Sequence, residues 1–125
     1  MKLFIEGKVD ILVIIETKLD NSFLTTQFLM EGFTKPFRLD RNRHGGGILL
    51  YIREDISCKE LNLHSFPNDI EGIFVEINLR KSKWLVLASY HPPKQNNEYY
   101  FASLSHALDT YSSIYEKFLL AGDFN

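Results

Sequence analysis

The sequence predicts an α/β fold, and three stretches carry that expectation. Residues 10–15 (Asp-Ile-Leu-Val-Ile-Ile) form a continuous β-branched run, too short for a buried helix and apolar on both strand faces. Residues 73–79 alternate Ile73, Val75, Ile77 and Leu79 with Phe74, Glu76 and Asn78, the two-residue period of a half-buried strand. From Glu98 the apolar spacing becomes helical, and Phe118-Leu119-Leu120-Ala121 then opens another strand. A helix packed back to deliver a strand is an α/β arrangement.

The remaining elements follow in chain order. Residues 1–7 read as the last turns of a helix ended by Gly7, so the domain is expected to lack its first strand. Asp20, Asn21 and Ser22 offer cap side chains to a short helix holding Phe23, Leu24, Phe28 and Leu29. Residues 32–39 read as an edge strand interrupted by Pro36. Residues 40–46 are rich in turn formers and read as a hairpin loop, with residues 48–52 as the returning strand. Residues 55–59, around Cys58, are strand-like. The polar tip Arg80-Lys81-Ser82-Lys83 leads into a more fully buried strand, residues 84–90, which Pro92-Pro93 stops. The helical stripe runs from Tyr100 and Phe101 through Leu104, Ala107, Leu108 and Tyr111 to Ile114, Tyr115 and Phe118. The closing strand is expected to be buried.

With 125 residues there is room for one compact domain and not two. A chain with 45% hydrophobic and 24% charged residues is ordinary for a globular protein, which argues against disorder, and no repeat period is present. The net charge of −2 leaves a nucleic-acid partner open, because local clusters matter more than the sum. One cluster exists: Lys35, Arg38, Arg41 and Arg43 stand against the single acid Asp40. A solvated loop is the ordinary reading of such a run. The single cysteine precludes an intrachain disulfide and fits a reducing compartment, so the expected location is intracellular, nucleus or cytoplasm. The apolar block at residues 11–15 is shorter than the roughly seven residues a signal peptide needs. No stretch approaches the roughly 18 apolar residues of a membrane span, so no membrane partner is expected.

Three predicted strands end in polar groups: Glu16-Thr17-Lys18, Tyr90-His91-Pro92-Pro93 and Gly122-Asp123-Phe124-Asn125. In α/β sheets ligands gather outside the carboxyl ends of strands, where residues far apart in sequence meet. Phosphodiester hydrolysis needs oxygen ligands for a hard cation, a group that orients or deprotonates water, and donors to the phosphate. Glu16 suits the first task, Asp123 with Asn125 the second, and Tyr90 the third. Singly each has a plainer reading: a capping glutamate, an ordinary Gly-Asp-x-Asn turn, a packed tyrosine. The ordered set of three shifts the balance toward chemistry.

Ile15-Glu16-Thr17-Lys18, Gly45-Gly46-Gly47 before a strand, Tyr90-His91-Pro92-Pro93 and Gly122-Asp123-Phe124-Asn125 together resemble the endonuclease/exonuclease/phosphatase superfamily. More narrowly, they resemble the apurinic-type endonuclease domain of non-LTR (LINE-like) retrotransposons, through nearly the whole chain. The resemblance implies a four-layer sandwich, two β-sheets flanked by helices, of which residues 1–125 cover about the first half. It implies Mg²⁺ (or Mn²⁺) held by Glu16, Tyr90 on the phosphate, and Asp123 and Asn125 positioning water and the scissile phosphate. It implies DNA as partner, nicked to leave a 3′-hydroxyl that primes reverse transcription, with Arg38, Arg41 and Arg43 along the phosphate backbone.

The family pattern also holds an asparagine-bearing first strand and a second half with a further aspartate and an Asp-His pair. Neither has a counterpart here, and His44, His64, His91 and His106 do not replace the missing histidine by motif. The expectation is therefore a partial domain, inactive alone, which needs its missing half or self-association for a stable fold. Two other readings stay open: a phosphoesterase of the same superfamily acting on inositol phosphates or other small phosphoesters, and a non-catalytic nucleic-acid or protein interaction module.

Overall fold

The β-branched run folds as β1 (Ile11–Ile15), pairing antiparallel with β3 (Ile48–Ile52) so that Ile15 lies opposite Ile48. The computed structural model describes residues 9–125, and the predicted helix end at residues 1–7 lies outside them. β2 (Phe37–Leu39) pairs with the other edge of β3, giving a three-stranded sheet in the order β1-β3-β2. The predicted edge strand is broken in two: Phe33 makes a single bridge to Arg53, and only Phe37–Leu39 form a ladder, because Pro36 supplies no N–H just before them. The 40–46 loop closes as predicted, with Asn42 bridging Gly45.

The second sheet takes β4 (Ser57–Leu61), β5 (Glu71–Leu79), β6 (Ser82–Tyr90) and β7 (Lys117–Asp123), in that spatial order. The β5–β6 hairpin is antiparallel, and its polar tip needs left-handed backbone at Arg80 and Lys81 (φ 52° and 65°). β6 and β7 are parallel, joined by the crossover helix α1 (Asn97–Tyr111). This is the α/β connection expected from the sequence.

Alternation decides the layers. Ile48, Leu50 and Ile52 of one sheet face Ile73, Val75, Ile77, Val86, Ala88 and Tyr90 of the other, forming the core between them. The opposite face of β5 and β6, with Phe74, Leu85 and Leu87, receives Tyr100, Leu104 and Ala107 of α1. The outer face of the three-stranded sheet is covered differently. Leu19, Met30, Phe28 and Phe33 pack on Leu49 and Tyr51 from irregular chain that includes one 3₁₀ turn, Thr25–Phe28. Two facing sheets with a helix outside one of them make an α/β sandwich; among the described residues the other outer layer holds no α-helix.

Two expectations are corrected. The helix stops at Tyr111, short of Ile114, Tyr115 and Phe118. Ser112 turns both its N–H and its hydroxyl onto the Asp109 carbonyl, a local bond that competes with helical continuation. β7 is not a buried strand: it borders its sheet and mixes half-buried with exposed residues, with Leu120 45% exposed. β1, bordering the other sheet, is half-buried throughout.

Candidate active site

Register builds a row across one end of the second sheet. Glu71 lies opposite Tyr90 on β5 and β6, and Tyr90 lies opposite Asp123 on β6 and β7. Tyr90 shares its face with Val86 and Ala88, and Asp123 shares its face with core-packed Leu119, so the row faces the mouth between the sheets. Gly122 allows β7 to reach that register. Its φ is +131°, and a Cβ there would collide with the Ser89 carbonyl.

The opposite sheet delivers Glu16 at the end of β1. Glu16 and Lys18 both take left-handed backbone, φ 56° and 55°, which is uncommon outside glycine. The glycine triplet stabilises this bend. Lys18 N–H donates to the Gly46 carbonyl at 2.9 Å and Thr17 N–H to that of Gly47 at 3.4 Å. Gly47, at φ +100°, leaves room for the Thr17 hydroxyl where any Cβ would strike it. Gly45-Gly46-Gly47 is thus a backbone clasp on the segment that carries Glu16.

Glu16, Tyr90 and Asp123 meet electrostatically. The Tyr90 hydroxyl is pushed above its ordinary value, first by burial and next by the adjacent Glu16 carboxylate, with Asp123 adding to the effect and Arg41 opposing it. Tyr90 is only 5% exposed, whereas Asp123 and Asn125 are open to solvent. Asn125 donates its backbone N–H to the Asp123 carboxylate at 3.2 Å. His91 secures this segment from behind. Its N–H donates to the Asp123 carbonyl at 2.7 Å, and its Nδ1 lies 3.1 Å from the Asn125 carbonyl and its Nε2 3.0 Å from that of Gln95. The ring is 1% exposed and stacks on Tyr100 at 4.2 Å. It is a brace for the Gly-Asp-Phe-Asn segment, not an imidazole free for proton transfer.

The basic cluster divides. Arg38 spends all five N–H bonds internally, on Asp40, Phe23, Thr25 and Asp20, and so has none left for a phosphate. It ties β2 to the segment after β1, engaging the donors that a nucleic-acid contact would use. Arg41 pairs with Glu71 at 3.6 Å while staying 42% exposed, and Arg43 lies on the open rim with Asp20, Asn42 and His44.

Among the described residues no three His, Cys, Asp or Glu side chains stand close enough to cage a metal ion. The donor set still fits one cation. Mg²⁺ commonly takes one or two protein carboxylates and completes its shell with water and phosphate oxygens. Glu16 and Asp123 both bear on Tyr90, while Arg41 is already paired with Glu71, so two carboxylates are left for a divalent ion to offset.

The model of the Endonuclease/Exonuclease/phosphatase family matches residues 1–125. The chain belongs to this endonuclease/exonuclease/phosphatase family. No curated protein matches the chain closely enough to count as a relative. Family membership agrees with the two facing sheets. Glu71 itself escapes motif reading, yet its signal was present: it is in phase with Ile73, Val75 and Ile77, a carboxylate on the inward row of a strand. No helix among the described residues is long and apolar enough to cross a membrane.

Proposed function

We propose that this chain carries the metal- and phosphate-binding part of a Mg²⁺-dependent DNA endonuclease site, of the type that nicks target DNA for non-LTR retrotransposition. The observation that carries the reading is that the ends of β1 and β7 bring Glu16 and Asp123 to the buried Tyr90 side chain, with Asp123 directly opposite it in register. Glu16 would hold the ion; Mn²⁺ can replace Mg²⁺ at such a site. The bound ion supplies charge neutralisation at the scissile phosphate.

The chain's own groups do the rest. The raised Tyr90 phenol stays protonated at neutral pH and donates to a phosphate oxygen. Asp123, exposed at the mouth, orients a water and accepts its proton. The Asn125 carboxamide donates to the phosphate, and Arg41 and Arg43 contact the flanking backbone. Turnover by the 125-residue chain is expected to be absent or slow, because the imidazole next to Tyr90 in sequence, His91, is buried and held against backbone carbonyls. The resemblance in Gly45-Gly46-Gly47 and Tyr90-His91-Pro92-Pro93 favours DNA over small phosphoesters.

Fluorescence anisotropy of a labelled DNA duplex tests this. Binding should require Mg²⁺ or Mn²⁺, fall with Glu16→Ala, and resist competition by inositol phosphates. Metal-independent binding untouched by Glu16→Ala would indicate an interaction module. Displacement of the DNA by inositol phosphates would indicate a small-phosphoester hydrolase.

A further inference from the structure

We infer that Glu71 is a positioning residue for the metal-binding carboxylate, acting through the glycine triplet on the bend that carries Glu16. The inference rests on reading Glu16 as the metal ligand. Glu71 is 7% exposed, and a carboxylate so buried must be paired. Its Oε1 accepts the Gly47 N–H at 2.5 Å, and its Oε2 lies 3.6 Å from Arg41 Nη1. A Cβ on Gly46 would run into the same Oε1, so the turn lies directly on the carboxylate.

From that turn the carbonyls of Gly46 and Gly47 take the N–H groups of Lys18 and Thr17, immediately after left-handed Glu16. Among the described residues the only other hydrogen bond from a backbone N–H of this bend is a long one, from Leu19 to the Thr17 hydroxyl at 3.5 Å. The path is therefore serial: Glu71 to the glycine turn, the turn to Thr17 and Lys18, and these to Glu16. Arg41 lies over Gly45 and Gly46 and closes the same assembly from the solvent side. With one oxygen engaged by Gly47 and the other facing Arg41, Glu71 is occupied in holding the turn and touches no substrate. It acts on the site only through Glu16.

Glu71→Ala and Glu71→Gln in the full chain test this, read by amide hydrogen exchange and by Mn²⁺ affinity. Losing a charge-assisted bond should speed exchange at Thr17 and Lys18 about tenfold, with core amides such as Val75 and Val86 unchanged. Mn²⁺ binding should weaken by a similar factor. Glu71→Gln keeps an acceptor for Gly47 and should restore most of both. Unchanged exchange at Thr17 and Lys18 in Glu71→Ala would overturn the inference, as would uniform acceleration across the core. If Glu71→Ala does not fold, Gly47→Ala breaks the next link with Glu71 intact and should loosen the same two amides; wild-type exchange there would overturn the inference. If the wild-type chain binds no Mn²⁺, the metal reading fails, while exchange at Thr17 and Lys18 still decides the role of Glu71.

Discussion

Tyr90 shows how one side chain serves both fold and site. Burial and the Glu16 carboxylate raise its pKa above the ordinary value of about 10. A raised folded-state pKa makes the contribution to stability complete below about pH 10 and lost as pH climbs through the folded value. Unfolding free energy from urea melts should therefore fall more steeply above pH 10 in the wild type than in Tyr90→Phe. Equal slopes would place Tyr90 outside the influence of Glu16. The arginines separate by the same kind of accounting. Arg38→Ala should cost stability, about 2 kcal/mol for the lost charge-assisted bonds, and leave the salt dependence of DNA binding unchanged. Arg43→Ala should leave the melt unchanged and lower the salt slope of DNA binding by about 1.

At the scale of elements, strand period was the legible signal. The alternation in β5 and the unbroken apolar runs of β1 and β6 translate directly into a core between two sheets. The helix start was legible from the helical spacing that opens at Glu98, next to the observed start at Asn97, and Asn96 caps it by accepting the Tyr99 N–H at 2.9 Å. Its end was not, because Ile114, Tyr115 and Phe118 keep the three- and four-residue spacing across a break set by local serine bonds. Tyr115 leaves the stripe for a different partner. Its hydroxyl donates to the buried Glu76 carboxylate at 2.5 Å, and burial followed by Glu76 raises its pKa strongly. Tyr115→Phe should thus destabilise the fold by about 1–3 kcal/mol, because a buried acceptor loses its donor. A melt unchanged by the substitution would mean that Lys59, 3.9 Å from the other oxygen, satisfies Glu76 alone. The candidate site was legible as three strand ends; Glu71 and the engaged donors of Arg38 depend on long-range packing that no local pattern encodes.

At the scale of the whole molecule, both sheets end on half-buried strands, β1 and β7. Between them, at the end away from Tyr90, an apolar cleft of about 470 Å³ is lined by Ile11, Ile56, Ile77, Leu79, Trp84 and Leu119. The Trp84 indole N–H there is buried and finds no hydrogen-bond partner among the described residues. Such borders favour association, so sedimentation of the 125-residue chain should show mass rising with concentration. A sharp, reversible melt of a strict monomer would contradict this. The same architecture brings the ends of β1, β6 and β7 to one mouth, and the central claim is that Glu16 holds a divalent ion there. Electron paramagnetic resonance titration of Mn²⁺ into the wild type and Glu16→Gln tests it most directly. The wild type should bind one ion per chain, more tightly with duplex DNA present, and Glu16→Gln none; equal binding by both proteins would remove Glu16 from the metal site.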